Sequence, residues 1–154
     1  MFTALVLFHG LVSVALLGAL THQALAVVAR RAEARSPSFI ARFRRTDPAA
    51  YSTAIVVLFA VVVLTGAVLY PSYRLVVRPT LQTLDLRAAN GVFEIKEHLS
   101  AMGLVLLPAY WASWRQPLVA EYSAVRVGLT WILASMVWWN FIVGQLLVSI
   151  KGPV

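Results

Sequence analysis

From Phe2 to Ala29 the chain runs without a single charged side chain. A stretch of that length satisfies its backbone polar groups in lipid only as a helix. The rest of the chain is of one kind with it: 60% of the 154 residues are hydrophobic and 12% are charged, against about 45–50% and about 25% in soluble domains. The lipid bilayer is therefore the expected surroundings. Each span takes about 20 residues, so the length admits four helices and excludes a bulky soluble catalytic domain. Cysteine is absent, which excludes disulfides, thiolate metal sites, iron–sulfur clusters and thioether-linked haem.

The expected fold is all-α, an integral membrane four-helix bundle forming a single transmembrane domain over 1–154. Its spans are placed at about 2–29, 49–70, 92–111 and 123–150. The first lacks the charged start and short apolar core of a secretory signal and reads as a retained helix. Thr46-Asp47-Pro48 is a helix start, with Asp47 as cap. Between the second and third spans, Arg74, Arg78, Asp85 and Arg87 alternate with leucine and valine. Pro79 argues against one continuous helix there, so an amphipathic segment on the outer surface is expected. Tyr110, Trp111 and Trp114 fall where a span meets an interface, the usual belt position.

Arginine sets the direction. Arg30, Arg31, Arg35, Arg42, Arg44 and Arg45 crowd the first loop, where Phe39, Ile40 and Phe43 would suit a short helix on the membrane surface. The bias places the Arg30–Pro48 loop in the cytoplasm and both termini outside, in a bacterial-type inner or plasma membrane. The net charge of +7 thus reads as a topology signal, with no nucleic-acid partner expected.

Ionisable groups inside spans cost about 2.5–3.5 kcal/mol each on insertion scales, so they carry the functional argument. His9 in the first span and His98 in the third both lie roughly 9–11 Å from the outer ends of parallel helices. A depth-matched pair of imidazoles can ligate haem b axially. Ser13 and Ala101 are small, Met102 shares the His98 face, and Arg74, Arg78 and Arg87 would pair with propionates. Glu94 and Glu97 share the His98 side while Lys96 points elsewhere, and both carboxylates are alternative metal ligands or proton relays. Simple hydrogen bonding of each histidine to a neighbouring helix remains open. His22 lies about 140° around the helix from His9, and a capping or headgroup contact suits it better than a second haem. Trp138-Trp139-Asn140 would line a quinone pocket or face lipid or a partner subunit.

Phe8-His9-Gly10, the arginine-rich first loop and Glu94-Ile95-Lys96-Glu97-His98 resemble the four-helix haem-associated membrane families of copper resistance protein D and the membrane protoporphyrinogen oxidase. The resemblance implies most of the chain and a haem-associated bundle. No methionine- or histidine-rich copper-handling segment and no clear substrate clamp is present, so neither copper handling nor oxidase activity is carried over. The expected function is a cytochrome b-like electron-transfer subunit, with one haem b between the first and third spans and quinone as a possible redox partner. The alternatives are a cofactor-free accessory subunit among other membrane subunits, or a metal or proton transporter.

Overall fold

A computed structural model describes residues 2–29, 47–115 and 120–151. The surface-helix expectation for Phe39, Ile40 and Phe43 lies outside them. The described residues are helical and hold no strand. The helices are α1 (Phe2–Ala29), α2 (Ser52–Ser72), α3 (Arg78–Thr83), α4 (Arg87–Arg115) and α5 (Ser123–Lys151). Asp47 does not cap α2, which starts at Ser52 with Tyr51 as its N-cap and no side-chain cap bond. It closes the turn before the helix, where the Ala49 amide donates to Asp47 Oδ1 at 3.1 Å and the Ala50 amide to the Asp47 carbonyl at 3.1 Å.

Three stretches are long and apolar enough to cross a membrane, Phe2–Val27, Ser52–Thr83 and Ala120–Ser149. The α4 helix is long but not among them, because Glu94, Lys96, Glu97 and Arg115 dilute its leucines.

The expected outer-surface segment is corrected. α2 does not stop at Pro71 but continues through a π-helical turn, Tyr73–Val77, into α3. Pro79 sits in the first turn of α3, where a missing N–H is least costly. The Arg78 amide bonds the Tyr73 carbonyl five residues back, so the wider turn re-spaces the ladder around Pro79. The chain then reverses through Asp85, whose φ of 54° is left-handed. The Leu86 amide closes on the Leu81 carbonyl at 2.8 Å, a Schellman-type stop.

Successive long helices run antiparallel, as their cross-contacts require. Gln23 of α1 meets Pro48 before α2, Trp111 of α4 meets Thr53 of α2, and Trp114 of α4 meets Thr130 of α5. α1 packs along α2 and α5, and α4 along the same two helices. The core joins all four: Leu16, Leu20, Ile55, Phe59, Leu107, Tyr110, Leu133 and Val137. In lipid, apolar burial supplies little drive between helices, so close packing and interhelical hydrogen bonds carry the association. The Gly103–Phe59 contact shows how close: a Cβ added to Gly103 would overlap the Phe59 ring.

Candidate functional site

Two polar layers cross the protein, separated by the apolar layer of Leu16, Phe59, Leu107 and Leu133. The first lies at the level of His9. Its Nδ1 is 2.8 Å from Thr65 Oγ1 of α2. The Thr65 hydroxyl is itself held by the Val61 carbonyl at 2.8 Å. The ring lies against Gly66, with Cε1 3.5 Å from where a Cβ would stand. Ser13 does not face a ligand but donates to the His9 carbonyl at 2.7 Å.

Lys96 comes into this layer from α4. Its side chain is 17% exposed, with Nζ 3.4 Å from Glu97 Oε1. Its stem reaches α5, where Cε is 4.0 Å from the Cβ position of Gly144. One turn on, Ser100 donates to the Lys96 carbonyl and accepts from Asn140 Nδ2, each at 3.0 Å. Asn140 Oδ1 is buried and has no hydrogen-bond partner.

The face expected for the third span is therefore reversed. The inward stripe of α4 is Lys96, Ser100, Gly103, Leu107, Tyr110 and Trp114, each buried or half-buried. His98 lies two residues from Lys96, about 200° around the helix, on the exposed stripe with Ala101, Met102 and Val105. Its Nδ1–H donates to the Glu94 carbonyl at 2.7 Å. A haem b held between His9 and His98 does not fit this arrangement, since His98 would need about half a turn of α4 to face inward. The three arginines expected at the propionates have partners of their own. Arg74 donates to the Tyr70 hydroxyl at 3.4 Å, Arg78 lies 3.7 Å from Glu94, and Arg87 bonds Asp85 at 3.0 Å. Among the described residues, no group of three or more histidine, aspartate or glutamate side chains forms a metal cluster.

The second layer holds Gln23, Tyr110, Trp114, Thr130 and Arg126. Gln23 is 0% exposed. It accepts from the Tyr110 hydroxyl at 2.5 Å and donates from Nε2 to the Pro48 carbonyl at 2.9 Å. Trp114 Nε1 donates to Thr130 Oγ1 at 3.2 Å. Arg126 donates from Nε to the Ser113 carbonyl at 2.8 Å, and its guanidinium lies over the Trp114 ring. Tyr110 and Trp114 are thus core residues rather than belt residues. His22 pairs with the Tyr51 hydroxyl, the two rings meeting edge to face.

The tryptophan-rich helix divides its residues. Trp131, Trp138 and Trp139 line a groove of about 360 Å³ between α1 and α5, with Thr21, Ala24 and Leu25 opposite. Trp138 Nε1 donates to Thr21 Oγ1 at 3.0 Å. Asn140 turns away from this groove to Ser100.

Helix periodicity, counted back from the core aromatics of α4, would have found Lys96 on the inward face. The attraction of the two histidines hid it. No family model, no curated protein and no solved structure matches the chain.

Proposed function

We propose that this chain is a multi-pass membrane protein that passes protons through an intramembrane station made of His9, Lys96 and Glu97. The observation that carries the reading is the inward placement of Lys96, a cation enclosed beside helices apolar enough to cross a membrane, where an ionisable group asks for a functional reason. Transfer of a proton from Lys96 Nζ to the Glu97 carboxylate turns an ion pair into an amine and an acid. Both are neutral, so the low-dielectric layer does not oppose the step through desolvation. The His9 imidazole, oriented by Thr65, keeps Nε2 for the next acceptance. The Leu16–Phe59–Leu107 layer below blocks a continuous water wire, so flux requires that layer to open.

The test is proton flux into vesicles holding the purified chain and a trapped pH-sensitive dye. Lys96→Met and Glu97→Gln are expected to abolish flux, whereas Arg87→Gln retains it. Flux in Lys96→Met equal to that of the unmodified chain overturns the reading. So does an unmodified chain no faster than empty vesicles.

A second reading, a haem b on His9 in an electron-transfer subunit, is favoured by the same imidazole. With Nδ1 on Thr65, only Nε2 is left to ligate, as in metal-bound histidines generally. It needs an axial partner other than His98 as placed here. An absorption spectrum of the purified protein without a haem band refutes it.

A further inference from the structure

Above Lys96, towards the start of α4, the rings of Phe93, Tyr73 and Tyr70 form a stack. Tyr73 and Phe93 lie 3.4 Å apart at their centroids with planes 12° from parallel, and Tyr70 lies 6.3 Å from Phe93 at 19°. The ammonium of Lys96 stands 5.1 Å from the Phe93 centroid. Phe93 precedes Lys96 by three residues, so it covers the lysine on the same helix face, one turn nearer the α4 start.

Tyr73 belongs to the π-helical turn between Pro71 and Pro79. Its hydroxyl donates to Asn90 Oδ1 at 3.0 Å. Asn90 Nδ2 donates to Glu94 Oε1 at 3.3 Å, and Arg78 lies 3.7 Å from that same oxygen. One face of the cover is thus anchored in irregular backbone, held to α4 by a short polar latch. The charged groups at this end include Glu97, 3.4 Å from Lys96 Nζ, and the Arg78–Glu94 pair at 3.7 Å, with the His9 imidazole across the layer on α1.

We infer that the Phe93–Tyr73 stack, latched by Asn90, is a lid that closes access to Lys96 from the α3 end of the protein. A regular helix at 73–77 would carry Tyr73 as part of a stiff rod. The π turn leaves local freedom to swing that ring off Phe93 without unwinding α2, and such turns are frequent at functional sites. Closed, the lid shields Lys96 Nζ. Open, it exposes Nζ.

The inference rests on Lys96 being the working group, but its test reads access and not flux. The chain holds two lysines, Lys96 and Lys151. A membrane-impermeant amine-reactive ester is added to the full chain in vesicles, and acylation of each lysine is followed by peptide mass. Phe93→Ala is expected to raise the Lys96 rate about tenfold relative to the unmodified chain, the scale of an opening equilibrium that loses one ring stack. Tyr73→Phe keeps the ring, loses the Asn90 bond and is expected to give a smaller rise. A Phe93→Ala rate equal to that of the unmodified chain overturns the lid, as does an unmodified Lys96 that reacts as fast as Lys151. Should Phe93→Ala fail to fold, Tyr73→Phe decides alone: a rise supports the lid and no change overturns it. Faster labelling without flux in any variant leaves the lid standing and removes the proton station.

Discussion

Gln23 offers the sharpest energetic test, because it is fully enclosed and used at both ends. Replacing it with leucine keeps the bulk but strands the Tyr110 hydroxyl and the Pro48 carbonyl. Each stranded buried group costs about 1–3 kcal/mol, so Gln23→Leu should lose about 2–6 kcal/mol. Tyr110→Phe alone strands only the Gln23 carbonyl oxygen, for about 1–3 kcal/mol. The double variant leaves one orphan, the Pro48 carbonyl, and should therefore be more stable than Gln23→Leu alone by about 1–3 kcal/mol. The assay is reversible unfolding in mixed micelles, read by helical circular dichroism across the four-member cycle. The sign of the coupling is the decisive quantity. If adding Tyr110→Phe to Gln23→Leu lowers stability further, the two groups act independently and the network account is wrong.

Two other substitutions probe backbone and packing. Gly103→Ala puts a methyl into the Phe59 ring, so it should destabilise by about 1–3 kcal/mol despite alanine's better helix propensity. An unchanged melting temperature would show that Phe59 has room to move. Asp85→Gly relieves a left-handed residue and should stabilise by about 1 kcal/mol, with the loss of the exposed Arg87 pair contributing little. A lower melting temperature in that variant counts against a strained Asp85.

Much of the scaffold was legible from residue order. The charge-free run of α1 and the valine-rich run of α2 admit little besides long helices, whereas Asp47 marks a turn before α2 and not the helix start, which falls at Ser52. The continuation through 73–83 was not legible, because Pro71 and Pro79 read as stops when each is taken alone. Their accommodation depends on a five-residue hydrogen bond that no propensity reveals. On α4 the information was present but misweighted. Ser100, Gly103, Leu107, Tyr110 and Trp114 recur at steps of three and four, and Lys96 lies four residues before Ser100. Depth matching of His9 and His98 took no account of angle around the axis. Depth along a helix constrains one coordinate; facing requires the other. The Tyr110 and Trp114 placements were missed for a related reason: an aromatic near a span end fits a belt and a core equally until its donor finds Gln23 or Thr130.

The composition of α4 has a consequence for how the protein is made. α1, α2 and α5 each carry enough leucine and valine to leave a translocation channel sideways into lipid unaided. α4 does not, because Lys96 and Glu97 would enter hydrocarbon before Ser100 and Asn140 are joined and before α5 supplies Gly144. If α4 spans the bilayer, its entry must wait for a neighbour, so α4 and α5 would integrate as a hairpin, after the α1–α2 pair is in place. Synthesis halted after Arg115 would then leave α4 at the interface. The polar layer would then also tie α4 to α5 during assembly: the residues that burden α4 are the ones its neighbour covers.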